Sequence, residues 1–139
     1  MELQVGVKII LQNKEGKFLL LQRNLEKYTE VKKNDSLDIV GGRIKIGTSL
    51  LENLKREVFE ETKLNLIEEP KLLAAQDILR PDKHVVRLTY LGQIEGEPEL
   101  DEEHSSYVWL TADEVRNKEG LDQYFKEVFE KFNLSTLLN

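Results

Sequence analysis

The chain opens on an alternation of apolar and polar positions. In "QVGVKII", Val5, Val7 and Ile9 fall on one side, the period-two pattern of a half-buried strand. Turn-forming residues, "NKEGK", follow, then the continuous apolar run "FLLLQR", and the two runs together predict a β-hairpin. The stretch from Asn24 to Ser36 is polar and reads as a loop with room for local helix, and "LDIVGG" reads as a short strand running into a glycine turn. The period then changes. "SLLE" fits a capping box with Ser49 as N-cap and Glu52 at the third helical position, and Leu51, Leu54 and Val58 recur at i, i+3 and i+7. "KLLAAQDIL" and "HVVRLTYLGQI" predict two strands joined by "RPDK". "EGEPELDEEHSS" reads as an acidic loop, "YVWL" as a short strand, and "TADEV" as a helix start capped by Thr111. Leu121, Phe125, Val128, Phe129 and Phe132 line one side of a last amphipathic helix. Strands and helices mixed in this order predict an α/β (α+β) sandwich with little regular βαβ repetition. Without repeats, low-complexity tracts or linkers, the expectation is one domain over residues 1–139.

Composition narrows the function. At 40% hydrophobic and 33% charged residues the chain reads as an ordinary globular protein. No apolar run is long enough to cross a bilayer, and "MELQVGVKII" lacks the basic segment of a secretory signal, so the expectation is a cytoplasmic protein with no membrane partner. The absence of cysteine excludes a disulfide, a thiolate nucleophile and a cysteine zinc site. A formal charge of −6, from 20 basic and 26 acidic side chains, argues against general nucleic-acid binding. A small anionic substrate remains compatible if a cation mediates.

That condition directs attention to "REVFEETKL". On a helix, Glu57, Glu60 and Glu61 fall within an arc of roughly 100°, and Glu57 and Glu61 lie beside the apolar stripe. Two carboxylates about 6 Å apart repel by roughly 3 kcal/mol at an effective dielectric near 20. Partial burial without compensation would force one to take up a proton. Arg56 can pair with Glu52 or Glu60, but one guanidinium does not neutralise the group. A hard divalent cation does, because magnesium takes oxygen ligands and keeps other positions for water or phosphate. Taken alone, an acidic helix stretch is more often a solvated face than a metal site.

The upstream glycines change this balance. "GGRIKIGTSLLENLKREVFEETKL" resembles the box of the Nudix hydrolases, G-x5-E-x7-R-E-U-x-E-E-x-G-U, where U is a bulky aliphatic residue. Gly42, Arg56, Glu57, Val58, Glu60, Glu61 and Leu64 stand at matching positions, while Thr48 replaces the first Glu and Lys63 the last Gly. The resemblance implies a mixed sheet between helices, an α/β/α sandwich carrying the box as loop–helix–loop. It implies Glu57, Glu60 and Glu61 as metal ligands, with Arg56 orienting the carboxylates. Gly41 and Gly42 would let the loop backbone turn tightly beside the helix. Activity in this family is cleavage of a nucleoside diphosphate linked to another group, with Mg2+ or Mn2+. Thr48 is expected to weaken a site rather than abolish it. Lys63 stands where glycine would permit a left-handed helix end, at a cost of roughly 1–2 kcal/mol unless the helix ends differently.

Outside the box, "ELDEEHSSYVWL" resembles the E-H-x-x-Y-x-W segment of Nudix enzymes acting on dinucleoside polyphosphates and some nucleoside triphosphates. Glu103 matches the glutamate that holds metal or activates water there, with Glu102 as its rival and an exposed acidic loop as the plain alternative. His104 reads better as a local hydrogen-bonding residue than as a substrate contact. Arg23 and Arg87 are the candidate phosphate contacts, and Tyr107 and Trp109 suit core packing better than base stacking.

The expectation is therefore a Mg2+-dependent pyrophosphohydrolase with a small-molecule nucleotide substrate, nucleoside triphosphates and dinucleoside polyphosphates being favoured over nucleoside diphosphate sugars. Thr48 keeps open a second class, a sensor that binds nucleotide without efficient cleavage. A calcium-binding protein is excluded, because the acidic group lies in a helix and lacks the D-x-D-x-D-G loop. Family members are often dimers, so a homodimer is compatible with the resemblance.

Overall fold

The structure, a computed structural model, describes residues 1–26 and 36–132. Most of the predicted loop from Asn24 to Ser36 lies outside the described residues. In chain order the elements are β1 (Glu2–Gln12), β2 (Phe18–Arg23), β3 (Leu37–Asp38), β4 (Val40–Arg43), α1 (Leu50–Thr62), β5 (Lys71–Leu79), β6 (Lys83–Gln93), β7 (His104–Leu110), α2 (Ala112–Arg116) and α3 (Gln123–Lys131).

β1 is the hub of the seven-stranded mixed sheet. It runs parallel to β6 along its whole length, from Glu2 opposite Lys83 to Gln12 opposite Gln93. Its other edge pairs antiparallel with β4, from Gly6 opposite Arg43 to Ile9 opposite Val40. The predicted hairpin forms but is short: β1 and β2 are antiparallel neighbours that pair only where Gln12 faces Phe18. β2 also pairs antiparallel with β7 and β3. β5 pairs antiparallel with β6, as the two runs around "RPDK" predict.

Burial follows the pleat on both faces, which corrects the half-buried reading of β1. Val7, Ile9 and Leu11 point toward α1, together with Leu19, Leu21, Leu54 and Val58. Ile10, Phe18, Leu20 and Leu91 point the other way, onto Phe125, Val128 and Phe129 of α3. The rings of Phe18 and Phe129 meet edge to face at 5.3 Å. A sheet apolar on both faces and covered by helices on each side is an α/β/α sandwich.

Three further readings are corrected. Gly41 and Gly42 lie inside β4, facing Lys8 and Val7 across the ladder, rather than in a turn after a strand. His104, Ser105 and Ser106 belong to β7 and not to the acidic loop. Ser49 and Thr111 are both N-caps, but the reciprocal box predicted at Ser49 is complete only at Thr111. The Ser49 hydroxyl accepts from the Glu52 amide, and Thr111 makes a reciprocal capping box with Glu114. Phe125, Val128 and Phe129 form the buried side of α3.

Candidate active site

The rotation of α1 about its axis settles the environment of each carboxylate. Leu50, Leu54 and Val58 pack on the core cluster, and continuing that stripe brings Glu61 inward. Glu61 is only 4% exposed. Glu57 stands at the border, its side chain 12% exposed, and Glu60 points outward with its side chain 53% exposed. The three carboxylates thus span a gradient from core to solvent over one turn.

Each is held differently. Glu61 Oε2 accepts from the Gly41 amide at 2.9 Å. Arg56 Nη1 donates to Glu57 Oε1 at 2.9 Å and reaches Glu60 Oε2 at 3.4 Å. Its Nη2 donates to Asn53 Oδ1 and to the Arg43 carbonyl, fixing the guanidinium between helix and strand. Asn53, fully buried, also accepts from the Lys45 amide and donates to the Thr48 and Ser49 carbonyls. It ties the loop before α1 to the helix and was not anticipated. A buried amide among leucines just inside an N-cap was the available signal.

The glycines are required by close approach. A Cβ on Gly42 would lie 2.7 Å from Glu57 Oε1. One on Gly41, whose φ is 152°, would lie 2.1 Å from the Val7 carbonyl oxygen. β4 therefore presses bare backbone against both the Glu57 carboxylate and β1. Lys63 does adopt the left-handed conformation, with φ 62°, and its Nζ donates to the Glu60 carbonyl at 3.1 Å.

Other strands complete the site. His104, at the start of β7, has a side chain only 8% exposed, with Nδ1 2.7 Å from Asp101 Oδ1 and Nε2 3.5 Å from Glu61 Oε1. A cavity of about 210 Å³ opens beside them, lined in part by Lys8, Arg23, Asp38, Gly41, Glu61 and Glu103. Glu103 is exposed at its rim. Arg23 also borders a larger cavity of about 680 Å³ that includes Asn24, Ser105 and Lys118. Lys8 Nζ pairs with Asp38 Oδ2 at 2.9 Å, and Arg23 binds the same oxygen. Arg23 is thus brought to the carboxylates. Arg87 is not: it pairs with Asp122 at 2.9 Å and lies over the Tyr124 ring on the α3 face. Lys8, Asp38, Asp101 and the inward His104 had not been foreseen as site residues. Tyr107 and Trp109 pack against the α1-side core, and both donate to Glu97, at 2.8 and 3.1 Å.

The electrostatics favour a cation. Burial, first, and the nearby Glu57 and Asp101 carboxylates push the Glu61 carboxyl up to about 9, overriding Lys8 and the Gly41 amide. Glu57 is also raised, first by burial and then by Glu60, against the pull of the Arg56 guanidinium. Positive charge from a divalent cation would relieve this crowding of buried carboxyls. The donor set, carboxylate oxygens with an imidazole nitrogen within 4.8 Å of two of them, suits a divalent cation.

A mixed sheet between helices, with an acidic helix backed by a glycine strand, is the arrangement that the resemblance of the box implies. The chain belongs to the NUDIX domain family, whose sequence model matches residues 2–132. It is a Nudix hydrolase, a class that generally uses divalent metals. Among solved structures, the MutT protein from Methanosarcina mazei Go1 is 27% identical, covering 95% of this chain and 94% of its own with a TM-score of 0.80. A MutT protein from Bacillus halodurans is 25% identical, covering 94% and 82% with a TM-score of 0.73. The E. coli ORF135 protein, 19% identical over 100% and 94% with a TM-score of 0.78, shares the fold. No curated protein sequence matches significantly. No helix among the described residues is long and apolar enough to cross a membrane.

Proposed function

We propose that the chain is a divalent-cation-dependent pyrophosphohydrolase that cleaves a diphosphate linkage in a nucleoside triphosphate or dinucleoside polyphosphate. Water attacks one phosphorus, a new O–P bond forms, and the bridging oxygen leaves with the other phosphate. The observation that supports this most directly is convergence. Glu61, Glu103 and His104 meet the cations Lys8 and Arg23 around one cavity, and Arg23 also lines a second of nucleotide size.

In this reading Glu57, Glu60 and Glu61 would hold Mg2+ or Mn2+, which when bound would neutralise diphosphate oxygens. Arg56 fixes the Glu57 and Glu60 carboxylates. Gly41 holds Glu61 through its amide, and Gly42 leaves room for Glu57. Arg23 faces substrate phosphates, and Glu103 takes the proton from the attacking water. Arg87 contributes indirectly, by holding Asp122 beside Arg23. A cysteine-free chain suits a reducing cytoplasm.

The test is mass-spectrometric product analysis after incubation with a mixed nucleotide panel, with Mg2+ and with chelator. Cation-dependent cleavage of a diphosphate linkage is expected. Tight binding without product across the panel would favour the second reading, a nucleotide sensor. Thr48, in place of the box glutamate, is the residue that favours it, and Thr48→Glu would then be expected to restore turnover.

A further inference from the structure

His104 is placed as a ligand rather than as a packing residue. Asp101 is an acceptor, so Nδ1, 2.7 Å from Oδ1, is the nitrogen that donates to it. This turns Nε2 inward, 3.5 Å from Glu61 Oε1. That carboxylate oxygen is the one the Gly41 amide does not hold, since the amide binds Oε2. His104 and Glu61, with Asp101, form a set whose donor atoms lie within 4.8 Å of one another. Donor atoms bound at about 2.1 Å on adjacent octahedral positions lie about 3 Å apart, so a shift of a few tenths of an ångström brings both onto one cation. A carboxylate on the far nitrogen of a metal-ligating histidine is the usual arrangement that fixes its tautomer.

We propose that His104 contributes Nε2 to the cation held by Glu61, making a mixed nitrogen–oxygen site that favours Mn2+ or Co2+ over Mg2+. This rests on the cation-dependent reading above and adds to it a ligand from β7 and a metal preference. Imidazole nitrogen binds Co2+ and, less strongly, Mn2+ more readily than it binds Mg2+, which favours oxygen and retains its waters. Asp101 is the positioning residue.

Mn2+ alone is the probe. Electron spin echo envelope modulation of the Mn2+-loaded full chain is expected to show 14N coupling, lost in His104→Asn and retained in His84→Asn, the variant of the other histidine. By titration, His104→Asn weakens Mn2+ binding about tenfold or more while Mg2+ binding changes little, and Asp101→Asn weakens Mn2+ binding with the coupling retained. Bound Mn2+ without 14N coupling in the unaltered chain overturns the role of His104 and leaves the carboxylate site standing. Coupling that persists in His104→Asn also overturns it. No Mn2+ bound at all overturns both this inference and the cation-dependent reading. The spectrum of the unaltered chain decides the matter even if a variant fails to fold.

Discussion

The Gly41 amide donates to Glu61 Oε2 at 2.9 Å, so the strand carrying the two glycines sets the position of the most buried carboxylate on α1. Its neighbour Gly42 does the corresponding work by leaving space, since an added Cβ would lie 2.7 Å from Glu57 Oε1. Strand and helix form one device, in which β4 fixes what α1 presents.

Gly42→Ala and Gly41→Ala should therefore fail in different ways. At Gly42 the clash is with the end of a flexible side chain, so Glu57 moves and the fold persists. Turnover is expected to fall about a hundredfold with the melting temperature little changed. At Gly41 the clash is with the Val7 backbone at 2.1 Å, and φ is 152°. A loss of about 2–4 kcal/mol is expected there in denaturant titrations. Equal loss of stability in both would refute the division.

Asp38 predicts the acid limb of the stability curve. Its burial alone would raise the carboxyl, but Lys8, Arg23 and Arg87 outweigh it and hold it at about 2, against an ordinary 3.8. A depressed folded-state value contributes stability above the unfolded value and loses it as pH falls from about 4 through 2. The difference corresponds to about 2 kcal/mol. Asp38→Asn should cost about 3–5 kcal/mol at neutral pH, because it strands Lys8 and Arg23 in a partly buried place, and should flatten the acid limb. Urea unfolding at pH 5 and pH 2.5 measures both.

Local patterns reached α1, both caps, β5, β6 and the apolar side of α3, because each depends on residues within a few positions. β1 was harder. Alternation of Val5, Val7 and Ile9 exposes one face to inspection, while the burial of Ile10 comes from α3, far along the chain. The parallel partner of β1 is equally distant, whereas "NKEGK" offered an adjacent one. The same division holds in the site. Glu57, Glu60 and Glu61 were visible through helical spacing, and their unequal burial depends on which side of α1 meets the sheet. Lys8, Asp38, Asp101 and His104 come from β1, β3, the loop before β7 and β7, and only the fold brings them together. A lysine inside the apolar run "VGVKIIL" was the single local hint.

Lys63 gives a stability prediction in the opposite direction. With φ 62°, it pays the left-handed penalty of roughly 1–2 kcal/mol that glycine avoids. Lys63→Gly removes that strain but also adds unfolded-state freedom and loses the bond from Nζ to the Glu60 carbonyl. The net gain expected is about 0.5–1 kcal/mol, readable as a melting temperature a few degrees higher. A lower melting temperature would show that the Nζ bond and the ring of Phe59, 5.6 Å from it, outweigh the strain.

Glu60 separates function from folding most clearly. Its side chain is 53% exposed, and its carboxylate meets only Arg56 Nη1 among the described residues, at the long distance of 3.4 Å. An exposed pair of this kind contributes between nothing and about 1 kcal/mol. Glu60→Gln should therefore leave the melting temperature within a degree or two, and relieving repulsion on Glu57 should offset part of any loss. On the proposed function turnover is expected to vanish, because the substitution would remove a cation ligand while keeping size and polarity. Glu103→Gln provides the scale: loss of a proton acceptor lowers the rate about a hundredfold without changing the cation Kd. If Glu60→Gln keeps full activity, the carboxylates of α1 are not the metal site, and the exposed face of that helix is only solvated.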